Sequence, residues 1–124
     1  MSWQPEATAS SALPDVAAEA TAAAAFLVGA VHADVDGAGI GPVTVLAKET
    51  AGGPAVLYAV AVVQGPLRAY LATAWGPVGR VHGKRIVSYP TPSAAHDAFA
   101  ALLAERTAPT GDQGSYHVLG LYTP

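Results

Sequence analysis

The stretch Ala55-Val56-Leu57-Tyr58-Ala59-Val60-Ala61-Val62-Val63-Gln64-Gly65-Pro66-Leu67-Arg68-Ala69-Tyr70-Leu71-Ala72-Thr73-Ala74-Trp75 decides the fold. From Ala55 to Val63, Val56, Tyr58, Val60 and Val62 fall on one face and smaller residues on the other. A two-residue period in branched and aromatic side chains reads as a strand. Gln64-Gly65-Pro66 is a hairpin connection. Leu67 to Trp75 then alternates again, with Leu67, Leu71 and Trp75 on one face and Arg68 and Tyr70 on the other. Two neighbouring strands joined by a short turn predict antiparallel pairing.

Upstream, Val43 to Lys48 is a short apolar strand that stops before the turn residues Ala51-Gly52-Gly53-Pro54. Downstream of Gly76-Pro77, residues 78–89 read as two short strands around His82-Gly83-Lys84. The period then changes. Thr91-Pro92 supplies a hydroxyl N-cap followed by proline at the first helical position. Ala95, Phe99, Leu102 and Leu103 make one apolar stripe, with His96, Ala100 and Arg106 facing elsewhere. Asp97 in an early turn and Arg106 in the last agree with the helix dipole. Thr107 to Gly114 is a loop, and Tyr116 to Tyr122 a final strand.

The sum is α+β: an antiparallel β-sheet with one α-helix packed on it, preceded by an Ala-rich N-terminal extension. The organisation is therefore a 1–41 extension, partly disordered or helical, and a 42–124 domain. Within the extension, residues 1–14 hold little that is large enough to bury and predict a mobile tail, in which Trp3 is a loose contact or nothing. Asp15 to Ala25 favours helix, with Pro14 and Asp15 as start signals. Phe26 to Val31 is open between strand and buried helix. Asp36 to Pro42 is a turn or loop.

At 124 residues the expected count is one domain. The hydrophobic fraction of 52% overstates the core, because 28 residues are alanine and bury little area each. Absence of cysteine excludes disulfides, thiolate metal sites and thiol nucleophiles, and accords with a reducing cytoplasm. The longest apolar run, Ala22 to Val31, is about half of the roughly 20 residues a membrane helix needs. No Lys or Arg precedes Lys48, so a positively charged leader is not expected. The expectation is a cytoplasmic protein without membrane, metal or cofactor.

Net charge is −3, yet the charges are sorted along the chain. Residues 1–49 hold six acids and one base, whereas residues 50–96 hold Arg68, Arg80, Lys84 and Arg85 and no acid. Such asymmetry marks either a local anion-facing surface or a solvated hairpin. His32, His82, His96 and His117 lie far apart with no ligand spacing, which argues against a metal or catalytic centre. Ser93-Ala-Ala-His96-Asp97 reads as helix N-terminus chemistry, and Gly37-Ala-Gly39-Ile-Gly41 lacks the helix start of a phosphate cradle.

The segment Tyr70-Leu-Ala-Thr-Ala-Trp75-Gly76-Pro77-Val78-Gly79-Arg80-Val81-His82-Gly83 resembles the signature of the WGR domain. In that family a strand ends in Trp-Gly-Arg, an apolar residue and Gly follow, and a second Gly comes a few positions on. The similarity continues through Ala95, Phe99, Leu102, Glu105-Arg106-Thr107 and Tyr116, and upstream through Val43 to Gln64. It covers roughly residues 42–124. Pro77 stands where the family has Arg, so that phosphate contact is lost; Arg80, three residues on, is the nearest substitute.

The resemblance implies DNA binding beside a strand break, as in DNA-dependent poly(ADP-ribose) polymerases, a role tied to the damage response; bacterial proteins also carry the domain. The family's Trp contact falls on Trp75, and the phosphate role is open to Arg68, Arg80, Lys84 and Arg85. No polymerase catalytic domain fits in the remaining 41 residues, so ADP-ribosylation is not implied.

Physical chemistry supports the same surface independently. An aromatic at a strand end can stack on a base for roughly 1–3 kcal/mol, and nearby cations add salt-dependent affinity. Gly76 and Gly79 would let backbone approach a phosphate. Arg80 and His82 alternate on one strand face, which adds His82 to the contact set. Trp75 has an ordinary reading too, as the large residue closing the core. The expectation is a non-enzymatic module binding DNA ends or nicks weakly through Trp75, Arg80, Lys84, Arg85, Arg68 and His82. A protein-docking module that holds a partner at its sheet edge is the second reading, and oligomeric state is left open.

Overall fold

The computed structural model describes residues 2–5, 15–50, 53–108 and 116–124. In chain order the elements are β1 (Ser2–Pro5), α1 (Asp15–Asp34), β2 (Gly39–Ile40), β3 (Val43–Thr50), β4 (Gly53–Gln64), β5 (Ala69–Pro77), β6 (Gly83–Tyr89), α2 (Pro92–Thr107) and β7 (His117–Thr123). The sheet runs β1-β7-β3-β4-β5-β6, antiparallel at each pairing, so the fold is α+β. β4 and β5 form its centre, joined by the turn in which the Gly65 N–H donates to the Arg68 carbonyl at 2.8 Å. The short β2 prolongs β3 along β4 across Gly41-Pro42, where one extra residue forms a bulge.

Alternation in the central strands creates two unlike faces. One is paved with Ala47, Ala59, Ala61, Ala72 and Ala74, together with Val43, Val45, Leu57 and Val63. Against it lies α1, through Ala20, Ala23, Ala24, Leu27 and Val31, at the 3–4 residue spacing of one helical stripe. Alanine against alanine lets helix and sheet backbones approach closely, and Leu27 and Val31 are fully buried there. The opposite face carries the large residues Leu46, Tyr58, Val60, Leu71 and Trp75, covered by Phe99, Leu102 and Leu103 of α2. The start of α2 is as its residues demand: the Ala94 N–H donates to Thr91 Oγ1 at 3.1 Å, with Pro92 in the first turn.

Several expectations change in the folded chain. Phe26 to Val31 is helix, and α1 extends to Asp34, so the sheet carries two helices rather than one. A division at residue 41 has no counterpart in the packing, because α1 supplies a whole side of the core. Ser2–Pro5 is not a loose tail: it pairs with β7, Trp3 opposite Tyr122 and Pro5 opposite Gly120, since backbone pairing needs no large side chain. The rest of the expected tail, residues 6–14, and most of the expected loop after Thr107 lie outside the described residues. Leu67 sits in the β4–β5 turn, 91% exposed, instead of on a strand face. After Pro77 there is one strand, not two; residues 78–82 form the connection into β6. No described helix is long and apolar enough to cross a membrane.

Candidate functional site

Leu71, Thr73 and Trp75 of β5 all face α2, and the register sets Trp75 between Tyr58 on β4 and Gly83 on β6. The rings of Tyr58 and Trp75 stack with centroids 6.2 Å apart and planes 17° from parallel. On the other side the indole lies over Gly83, where any Cβ would overlap the ring. Gly76 is constrained in a different way. A Cβ there would stand 2.6 Å from the Arg80 carbonyl oxygen and 2.7 Å from the Val81 Cα, so the return of the chain beside Trp75 requires glycine.

More rings and cations gather on the same face. Tyr116, which precedes β7, meets Tyr58 edge-on at 5.8 Å. The Arg106 guanidinium stands 4.9 Å from the Tyr58 centroid, and Lys48 Nζ stands 5.7 Å from that of Tyr116. Arg85, on β6, completes the group. Tyr58, Thr73, Trp75, Arg85, Arg106 and Tyr116 enclose a hollow of about 350 Å³. A second hollow of about 330 Å³ adjoins it between β6 and α2, sharing Tyr58, Thr73, Arg85 and Arg106.

The six nominated residues are divided by the fold. Trp75 is half-buried in this cluster and Arg85 lines it from an exposed position. Arg80 and His82 are exposed in the connection that wraps the Trp75 end, where the His82 N–H donates to the Trp75 carbonyl at 3.1 Å. They lie on no common strand face, because residues 78–82 are not a strand. Lys84 alternates with Arg85 and so faces the α1 side, where its Nζ lies 3.4 Å from Asp34 Oδ2. Arg68 is in the turn at the opposite end of β5 from Trp75, on the order of 20 Å away by strand rise.

Sequence reasoning missed Arg106, Tyr58 and Lys48 as members of the site, and took Tyr116 only as the start of the last strand and as part of a resemblance. Arg106 is a correction: it does not face elsewhere but lies half-buried over Tyr58. Its position follows Phe99, Leu102 and Leu103 by seven, four and three residues, the spacing of the very stripe that packs on the sheet. Its Nε is buried and has no hydrogen-bond partner among the described residues. The aromatic face beneath it compensates part of that cost.

The electrostatics of the two faces differ in sign. Glu19 and Asp34 belong to α1, which packs on the other side of the sheet, although the Glu19 carboxylate reaches Gly79 in the connection that wraps the Trp75 end. Glu105 is the carboxylate among the residues lining the two hollows. Burial raises the Tyr116 phenol above the ordinary tyrosine range; the Arg106 charge pulls it down and Tyr58 adds to the rise. The folded chain thus holds this proton after the unfolded chain has released it. The associated stability is complete below the unfolded value near about 10 and is lost as pH rises towards the folded value. Tyr116→Phe should consequently lose less stability than wild type between about pH 9 and 11. Parallel losses in denaturant titrations at those two pH values would show that Tyr116 contributes nothing to alkaline sensitivity.

Comparison of the chain with family models, with characterised proteins and with solved structures finds no match.

The chemistry open to the cluster follows from its parts. Trp75 and Tyr116, half-buried around the buried Tyr58, offer apolar edges, while Arg85 and Arg106 offer planar, permanently charged donors suited to phosphate or carboxylate oxygens. Among the described residues no three of His, Asp and Glu converge into a metal-binding group.

Proposed function

We propose that this chain is a WGR-like nucleic-acid-binding module that engages DNA at ends or nicks. The observation that carries this reading is the convergence of Trp75, Tyr58 and Tyr116 with Arg85 and Arg106 on the face turned away from the acids of α1. An interrupted duplex exposes a terminal base or sugar that the accessible edges of Trp75 and Tyr116 can touch, and its flanking phosphates suit the arginines. Arg80 and His82, exposed beside the Trp75 end, extend the contact surface along the backbone of the same DNA. Lys84 and Arg68, facing away or lying at the far end, take little part. Because the acids of α1 lie on the other side of the sheet, the net charge of −3 weighs less against this reading.

The test is titration of a labelled nicked duplex at low and moderate salt. Wild type should bind in the weak, sequence-independent range of about 10⁻⁴–10⁻⁶ M and lose affinity steeply with salt. Arg85→Ala should weaken binding and flatten the salt slope by about one unit, since one phosphate contact is removed. Lys84→Ala and Arg68→Ala should change both quantities far less. Equal losses for Arg68 and Arg85 would mean diffuse attraction without a site. An intact fold that fails to bind at low salt would reject the reading and leave protein docking, which the loss of a signature arginine at Pro77 already favours.

A further inference from the structure

β6 closes one margin of the sheet: its partner is β5, from Ala69 opposite Tyr89 to Trp75 opposite Gly83, and it stands last in the strand order. Alternate N–H and C=O groups along its outer side are therefore unmatched by any described strand. Seven residues give this margin a length of roughly 20 Å, room for a strand of five or six residues.

Beside the margin is the hollow between β6 and α2. Its wall on the helix is formed by Ala98, Ala101 and Leu102, and on the strand by Val87 and Tyr89. Two alanines one turn apart keep the helix side low, and this leaves the space open. At the other end stand Arg85 and Arg106, with Glu105 as the one acid lining the hollow.

We propose that the outer margin of β6 receives an extended acidic peptide, added to the sheet as a further antiparallel strand. Main-chain hydrogen bonds would supply affinity, and side-chain complementarity would supply register. The complementarity is legible along β6. Lys84 and Arg85 come first, one on each face, Lys84 already 3.4 Å from Asp34 and Arg85 in no ion pair among the described residues, and the apolar pair Ile86 and Val87 follows. An antiparallel partner thus needs two apolar residues followed by an acid opposite Arg85. A second copy of this chain is the wrong occupant, because pairing β6 with itself brings Lys84 and Arg85 towards like charges or against Ile86 and Val87. This proposal goes beyond the nucleic-acid reading and does not rest on it: the two share Arg85 and Arg106, but this one uses the backbone of β6 and leaves Trp75 aside.

The probe is a capped peptide of serine, threonine, two valines, two glutamates and serine, in that order, added to the full chain. Binding should be saturable and should slow amide hydrogen exchange along residues 83–89. Methylating alternate peptide nitrogens on the sheet-facing side should weaken it at least tenfold, as should Arg85→Glu. Ala101→Trp, at an exposed helix position, should fill the hollow and do the same without lowering the thermal midpoint. Moving the glutamates ahead of the valines should also weaken binding. Absence of saturable binding, binding indifferent to nitrogen methylation, or binding without protection of 83–89 would each overturn the proposal. The nicked-duplex titration with Trp75→Ala is read separately, so either idea can fail alone.

Discussion

Leu27→Ala is expected to lower the thermal midpoint by about 10–20 °C. Leu27 is fully buried on α1, in the core formed with the alanine-paved side of the sheet. Truncating a buried leucine removes its transfer energy and leaves a cavity, together about 2–5 kcal/mol. Alanine-rich surroundings cannot refill such a hole, since short side chains have no reach. A domain of this size has about 5–15 kcal/mol in all, so the loss is a large share of it. Calorimetry on wild type and variant is the measurement. A midpoint shift of only a degree or two would mean that α1 rests on the sheet without sharing its cooperative unfolding, and that the division near residue 41 has energetic meaning after all.

Trp75→Ala should weaken nicked-duplex binding by about 1–3 kcal/mol, between roughly fivefold and 150-fold. The indole is half-buried, so part of it is held by Tyr58 and Gly83 while part is accessible. Its loss also costs the ring pair with Tyr58, worth about 0.5–1.5 kcal/mol beyond the area that the indole covers, so the midpoint should fall as well. Trp75→Phe separates the two contributions: it keeps an aromatic stack and should retain most of the affinity. Binding by Trp75→Ala indistinguishable from wild type would reduce Trp75 to the closing residue of the core. The nucleic-acid proposal would then have lost its centre.

The two faces of the sheet show how differently apolar residues announce themselves. Val56, Tyr58, Val60 and Leu71 signal a buried strand face directly, because branched and aromatic side chains at period two have few other uses. Ala59, Ala61, Ala72 and Ala74 signal nothing of the kind, since alanine is tolerated both inside and outside. Helix α1 is as ambiguous: with alanine on most sides, Ala20, Ala23, Ala24, Leu27 and Val31 do not stand out as a stripe. Its helical propensity was legible over residues 15–25, but its place as a second layer on the sheet was not, for that reason.

The site was legible in the same partial way. Trp75 could be nominated because a strand-end aromatic beside glycines is a local pattern. Arg85 and Lys84 are adjacent in sequence and chemically alike, yet a strand sends them to opposite faces. Arg106 is far along the chain from both, and the helix that bears it brings it over Tyr58.

Local patterns by themselves determined the strands from Val43 to Trp75, the hairpin at Gly65, the capped start of α2 and the α+β class, because each depends on residues within a few positions of one another. Tertiary structure alone decided that the alanine side of the sheet lies under α1, and which cations share a surface with Trp75. Those outcomes depend on strand register and on which helix covers which face, and such long-range choices are made by burial summed over the whole molecule.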